Sequence, residues 1–212
     1  MRQNPSFTLT DPAELKRLVR ENPWATFVSS TSAGLVASHY PVILDESREE
    51  LTLLSHVGRP DEQLHELGEH ELLVIVQGPH GYISSGWYDE KPAVPTWNFI
   101  AAHFSGVPEL LGDEENLDVL ARLVDHFEDE LPEPRRMRGT LEDAAYAERI
   151  VSGTVGLRLT PTRVVAKQKM GQNRPDHIVD AIMDELGGDG PYASAGLLRE
   201  MRLVHDRRRA AR

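Results

Sequence analysis

The apolar runs of this chain are joined by short turns rather than by repeated helical crossovers, and this restricts the fold more than composition does. Parallel strands need a crossover of a dozen or more residues, whereas antiparallel strands need only a hairpin. WATFVSS and LVASHYPVIL flank the turn Ser32-Ala33-Gly34, so residues 24–44 read as a hairpin. Glu49 to Ser55 reads as a third strand, ELLVIVQG as a continuous apolar one, and VSGTVGLRLTPTRVVAKQKM as returning strands. The expected class is α+β: a mostly antiparallel barrel with peripheral helices.

Caps and stops mark the helices. Thr10 or Asp11 can cap ELKRLVREN, Pro12 suits its first turn, Leu15, Leu18 and Val19 form its stripe, and Pro23 stops it. SHVGRPDEQLHELG is expected to turn into a helix with Leu64 and Leu67 facing inward. In residues 113–130, Leu117, Leu120, Leu123, Val124 and Phe127 fall at helical spacing. Shorter helices are expected from Leu141 to Ile150 and from Ile178 to Leu186, and a last one from Leu197 after a break at Gly187 to Pro191. Residues 205–212 carry few apolar anchors and are expected to be dispensable for folding. The domain expectation is a main body over residues 1–175 and a helical carboxy-terminal extension over 176–212.

One stretch is richer than a scaffold requires. Between Gly78 and Gly106 lie Trp87, Trp97, Tyr82, Tyr88, Phe99 and Phe104, interleaved with His80, Ser84, Ser85, Thr96, Asn98 and His103. Aromatic walls with a few convergent polar groups line small-molecule sites, although the same rings also suit the core of a hairpin. From Thr96 a strand would place Thr96, Asn98 and Ile100 on one face and Trp97, Phe99, Ala101 and His103 on the other, both largely buried.

Three further groups bear polar chemistry. Ser38 and His39 sit late in a strand, where backbone can satisfy them. Ser55, His56, Gly58 and Arg59 span a strand end, a small turn and a helix start. Free N–H groups and an arginine there suit a phosphate, and capping plus a solvated arginine explains them equally. Lys167, Lys169, Gln172, Asn173 and Arg174 cluster where a strand stops at Met170-Gly171. No metal is expected at His65-Glu66-Leu67-Gly68-Glu69-His70, because its histidines are five apart where the zinc-protease motif needs four.

A net charge of −11 repels a nucleic-acid backbone, so direct DNA binding is doubtful. The six arginines from Leu197 onward are the one plausible polyanion patch. The lack of cysteine excludes disulfides, thiolate catalysis and cysteine-ligated metals. With no 18-residue apolar run or signal-like amino terminus, no membrane partner and a cytoplasmic location are expected. No activated nucleophile or acid–base pair can be named, so catalytic residues stay unassigned and any chemistry would belong to a cofactor.

Several blocks taken together resemble the PaiB-like family, FMN-binding negative transcriptional regulators. They are NPSF (4–7), ENPWATFVS (21–29), GLVASHYPVIL (34–44), LVIVQGPHGYISSGWY (73–88), VPTWNF (94–99) and QNRP (172–175). The resemblance implies a split β-barrel of the FMN-binding type, FMN as cofactor, and a homodimer with cofactor sites at its interface. It implies that Ser38, His39, Ser55, His56 and Arg59 meet the phosphate and ribityl side of the flavin. Thr96, Trp97 and Asn98 would approach from the PTWN block, with Lys169, Gln172 and Asn173 from the last one. Where the family reads close to KWKLSQNR, residues 167–174 read KQKMGQNR, without the aromatic and the serine. The alternative is a small flavin-dependent oxidoreductase, or a haem-binding or haem-degrading enzyme, using the same cleft. Arg59 is the residue expected to recognise the phosphate.

Overall fold

The computed structural model describes residues 1–2 and 4–210. In chain order it contains β1 (Thr8–Leu9), α1 (Pro12–Glu21), β2 (Trp24–Thr31), β3 (Gly34–Pro41), β4 (Ile43–Leu44), β5 (Leu53–Gly58), α2 (Arg59–Leu64) and β6 (Leu72–Ile83). There follow β7 (Thr96–Gly106), β8 (Glu109–Leu110), α3 (Asp113–Glu128), α4 (Leu141–Ile150), β9 (Thr154–Leu159), β10 (Arg163–Lys169), α5 (Asp176–Gly187) and α6 (Ala195–Ala210). Hydrogen bonding orders one sheet β1-β10-β7-β6-β2-β3 and the other β4-β5-β9-β8. β1 runs antiparallel to β10, β2 to β3 and β6, β5 to β4 and β9, and β8 to β9. The α+β, mostly antiparallel expectation therefore holds. No helix among the described residues is long and apolar enough to cross a membrane.

The chain packs into two compact units. One comprises Met1–Asp11, Gln77–Ala102 and the segment from Val165; the other comprises Pro12–Val76 and His103–Val164. In the second, β2 alternates as a half-buried strand must: Ala25, Phe27 and Ser29 are buried, while Trp24 and Ser30 are exposed. The third strand begins at Leu53 rather than at Glu49. Asp45 closes a turn by accepting from the Ser47 hydroxyl at 2.7 Å, and the charged residues after it stay exposed.

α3 lies against β5 and β9, where Ile43, Leu54, Leu111, Val119 and Leu123 form a core cluster. Its buried stripe is Asn116, Val119 and Leu123, not the all-apolar stripe expected, and Phe127 is exposed. Polar satisfaction sets this rotation. The Asn116 amide donates to the Thr154 carbonyl at 3.2 Å and to its hydroxyl at 3.1 Å, so Asn116 faces β9. Gly156 makes room for it, since a Cβ there would stand 3.0 Å from the Asn116 Cα.

In the other unit α5 and α6 pack together, burying Ile178, Val179, Ile182 and Leu186 with Leu197, Leu198 and Met201. The end of α6 does not behave as a dispensable tail. His205 is fully buried and bonds the Met170 carbonyl at 2.8 Å, Arg208 pairs with Asp176 at 3.4 Å, and Arg209 pairs with Asp180 at 2.5 Å. The expectation missed this because one buried imidazole with two ion pairs leaves no apolar stripe to read. Ala211 and Arg212 lie outside the described residues.

The Gly156 contact can be tested directly. Gly156→Ala should destabilise the protein by about 1–3 kcal/mol, the scale of an overpacked site, because the clash is with helix backbone rather than a flexible side-chain end. Urea denaturation of the variant beside the parent measures this, and an unchanged midpoint would refute the close approach.

Candidate functional site

The polar residues of the larger unit converge on Tyr40, which sits two residues beyond Ser38 on the same face of β3. Its hydroxyl donates to Asp61 at 2.6 Å and accepts from the Gly58 amide at 3.3 Å. Burial and the Asp61 carboxylate push its pKa up, so it stays a phenol. The Ser38 hydroxyl contacts His65 Nε2 at 3.0 Å, and the buried Ser29 hydroxyl contacts His65 Nδ1 at 2.9 Å. A neutral imidazole has one donor and one acceptor, so one serine donates to the ring and the other accepts from it. His65, not Leu64, is the inward residue here: α2 ends at Leu64, which is 52% exposed, while His65 and Leu67 turn into the core.

The other predicted residues of this unit have mixed fates. His39 is exposed and stacks on Trp24, with ring centroids 6.4 Å apart. His56 meets the Tyr40 ring edge-on at 6.1 Å, and its buried Nδ1 has no hydrogen-bond partner among the described residues. Ser55 is corrected. Its hydroxyl is fully buried and donates to the Pro41 carbonyl at 2.6 Å, because the pleat of β5 turns it inward. Arg59 is already engaged: it donates to the Ser152 carbonyl at 3.1 Å and pairs with Glu62 at 3.3 Å and Asp113 at 3.7 Å.

His65 and His70 point apart, as their spacing requires. His70 lies outside, where its Nε2 pairs with Glu66 at 3.0 Å and where the ligand atoms of Glu66, Glu69 and His70 gather within 4.8 Å of one another.

In the smaller unit the alternation of β7 separates the PTWN residues. Asn98 is buried and donates to the Met201 sulfur at 3.5 Å, so α6 covers it and it is not open to a ligand. Trp97 points the other way and is 54% exposed, against the expectation of two buried faces. It stacks with His80 at 6.2 Å and meets Tyr82 edge-on at 6.4 Å. These rings line a cavity of about 400 Å³ with Tyr192 and Ser194. Tyr192 had no signal in the sequence, since it lies in the loop that reads only as a helix break.

Lys169 donates to the Thr96 hydroxyl and, at 2.9 Å, to the Trp97 carbonyl. Lys167, on the same face of β10, lies 5.7 Å from the ring centroids of both Phe7 and Phe99. Burial, then repulsion from Lys167 and Arg174, depresses the Lys169 pKa. Gln172 is inward-turned: it accepts from the Met170 amide at 2.7 Å and donates to the Gln168 carbonyl at 2.6 Å, stapling the turn at Gly171. Asn173 is exposed. This donor set fits a flavin phosphate, because two cations with no carboxylate partner among the described residues stand in the unit that carries the aromatic wall.

The profile of a family described as "Putative FMN-binding domain" matches residues 1–163. The protease synthase and sporulation protein PAI 2 of Bacillus subtilis is 28% identical over 182 residues, covering 85% of this chain and 86% of that protein. An FAD and heme binding protein from Mycobacterium smegmatis superimposes with a TM-score of 0.57 at 20% identity, covering 82% of this chain and 79% of the other. A flavocytochrome from Azotobacter vinelandii gives a TM-score of 0.57 at 13% identity, covering 80% and 72%.

Burial depresses the pKa of His56, His65, His103 and His205 below the usual imidazole value. An unfolded chain takes up protons at these positions near pH 6.5 while the folded one does not. Their contribution to stability is therefore full above about pH 6.5 and is lost progressively as pH falls from there through the folded values. Urea denaturation should give lower stability at pH 5.5 than at 7.5, and equal or greater stability at 5.5 would contradict buried neutral imidazoles.

Proposed function

We propose that this chain, which belongs to the PaiB-like family of FMN-binding split-barrel proteins, holds the FMN phosphate at Lys167 and Lys169 and lays the isoalloxazine along Trp97, His80 and Tyr82. The observation that carries the reading is charge. In a protein with 34 acidic side chains against 23 Lys and Arg, these two lysines have no carboxylate partner among the described residues. A dianionic phosphate would counter the burial that chiefly depresses the Lys169 pKa and the repulsion from Lys167 and Arg174 that adds to it, whereas Arg59 would first have to release Glu62 and Asp113. Bound flavin would supply redox chemistry; the residues described here bind and orient it.

We further infer a cytoplasmic homodimer built on the outer face of β2 and β3. Trp24 is 63% and Leu35 82% exposed on that face, beside exposed Ala37 and half-buried Val28, Leu73 and Ile75, and β3 is an edge strand. An apolar face with an unpaired edge suits self-association. The regulatory role implied by the resemblance then runs through flavin and protein contacts rather than through a DNA-reading helix. Arg208 and Arg209 are paired with Asp176 and Asp180, which removes two of the six arginines from a polyanion patch.

Two measurements test this. FMN and riboflavin are titrated by flavin fluorescence, after a visible spectrum with FMN and, separately, haem has identified the bound group. Lys169→Ala should weaken FMN by about 1.5–3 kcal/mol, one to two decades, and riboflavin far less, while Arg59→Ala leaves both nearly unchanged. Equal losses for both ligands, a loss confined to Arg59→Ala, or a Soret band without flavin bands would overturn the assignment. Light scattering should give a dimer for the parent and a monomer for Leu35→Glu, and a monomeric parent would remove the interface.

A further inference from the structure

The segment that follows α5 closes a second, smaller cavity on the aromatic turn, and its chemistry differs from that of a flavin site. This cavity, about 300 Å³, is lined by Tyr82, Trp87 and Tyr192 with Ser84, Pro191 and Glu185. The Tyr82 and Tyr192 ring centroids are 5.0 Å apart, and those of Trp87 and Tyr192 6.5 Å. Three aromatic rings, with interplanar angles of 48° for Tyr82 and Tyr192 and 53° for Trp87 and Tyr192, therefore line one cavity. Ring faces carry the negative lobe of the aromatic quadrupole, so together they favour a cation over a neutral apolar group.

The electrostatics of the frame point the same way. Glu185 is the one charged side chain among the lining residues, and it forms no ion pair or hydrogen bond among the described residues. It lies in the last turn of α5, which holds no basic residue there. The carbonyl end of a helix carries partial negative charge, so an unpaired carboxylate at that end is disfavoured until a cation joins it. The net charge of −11 adds to the local field.

We propose that this cavity is a binding site for a small organic cation of the quaternary or tertiary ammonium class, cradled by Tyr82, Trp87 and Tyr192 and neutralised by Glu185. An alkylated ammonium suits it better than a metal ion. Its methyl groups contact the ring faces while its charge is spread over a surface too large for tight hydration, and one carboxylate is too few ligands for a hard cation. Glu185, Pro191 and Tyr192 lie beyond the matched residues 1–163, whereas Tyr82, Ser84 and Trp87 lie within them, so the matched family domain supplies only part of the lining. Tyr82 and Tyr192 line both this cavity and the larger one beside Trp97, whereas Trp87 and Glu185 line only this one of the two.

The test uses a pair of probes that differ in charge alone. Choline and its neutral isostere 3,3-dimethyl-1-butanol are titrated into the full-length protein and followed by intrinsic tryptophan fluorescence and by calorimetry. Choline should bind saturably and at least about tenfold more tightly than the alcohol. Glu185→Gln, an exposed and shape-conserving change, should weaken choline about fivefold. Trp87→Leu should weaken it further, and Glu185→Gln should leave FMN titration unchanged, which separates this cavity from the flavin site. Equal affinity for alcohol and choline, no saturation by choline where a Kd of about 1 mM would saturate, or an unchanged Kd in Glu185→Gln would each overturn the proposal.

Discussion

The hydrogen bond between buried His205 and the Met170 carbonyl fixes the place where β10 ends, and the orientation of Lys169 depends on that ending. A carbonyl can only accept, so at 2.8 Å the Nε2 must carry the proton, which leaves Nδ1 to accept from Arg208 at 3.4 Å. Burial keeps the ring neutral, and Gln172 bridges the same turn from its other side. Gly171 takes φ +75°, where a side chain would be strained. With the turn held in this way, Lys169 is aimed at Thr96 and Trp97 rather than left to the solvent.

In the larger unit, too, several buried polar groups set one another's orientation. Ser29 and Ser38 occupy the two nitrogens of His65, while Tyr40 is shared between Asp61 and the Gly58 amide at the start of α2. Buried donors left unmade cost about 1–3 kcal/mol each, so such sets tolerate few substitutions. Among the described residues, the buried His56 Nδ1 and Asn116 Oδ1 of this unit have no hydrogen-bond partner.

These two sets explain why candidates named by local pattern fare differently. Ser55 and Asn98 carry suitable chemistry but face inward, the first to the Pro41 carbonyl and the second to Met201. Arg59 stands in the expected turn, yet nearby carboxylates already hold its guanidinium. Lys169 has the weaker local signal and the better surroundings, because what matters for an anion is charge left uncompensated, and that is a property of neighbours.

The sequence by itself determined the class and most of the elements. Short turns force antiparallel pairing, Leu141 and Ile150 bound a helix in both readings, and the GPHGYISSGWY and VPTWNF blocks carry the family resemblance. It also implied, through the period of two along β7, that Trp97 and Asn98 could not share a face. Only the tertiary structure decided which face is covered. The stripe of α3 turned toward Asn116 because Thr154 offered partners and Gly156 offered space, and residues 205–210 docked through one imidazole and two ion pairs. Tyr192 came to the aromatic wall from a loop that local sequence marks only as a break. Periodicity and turn chemistry are local and can be read along the chain, whereas burial, charge compensation and the closing of a cavity depend on residues far apart in sequence and exist only after folding.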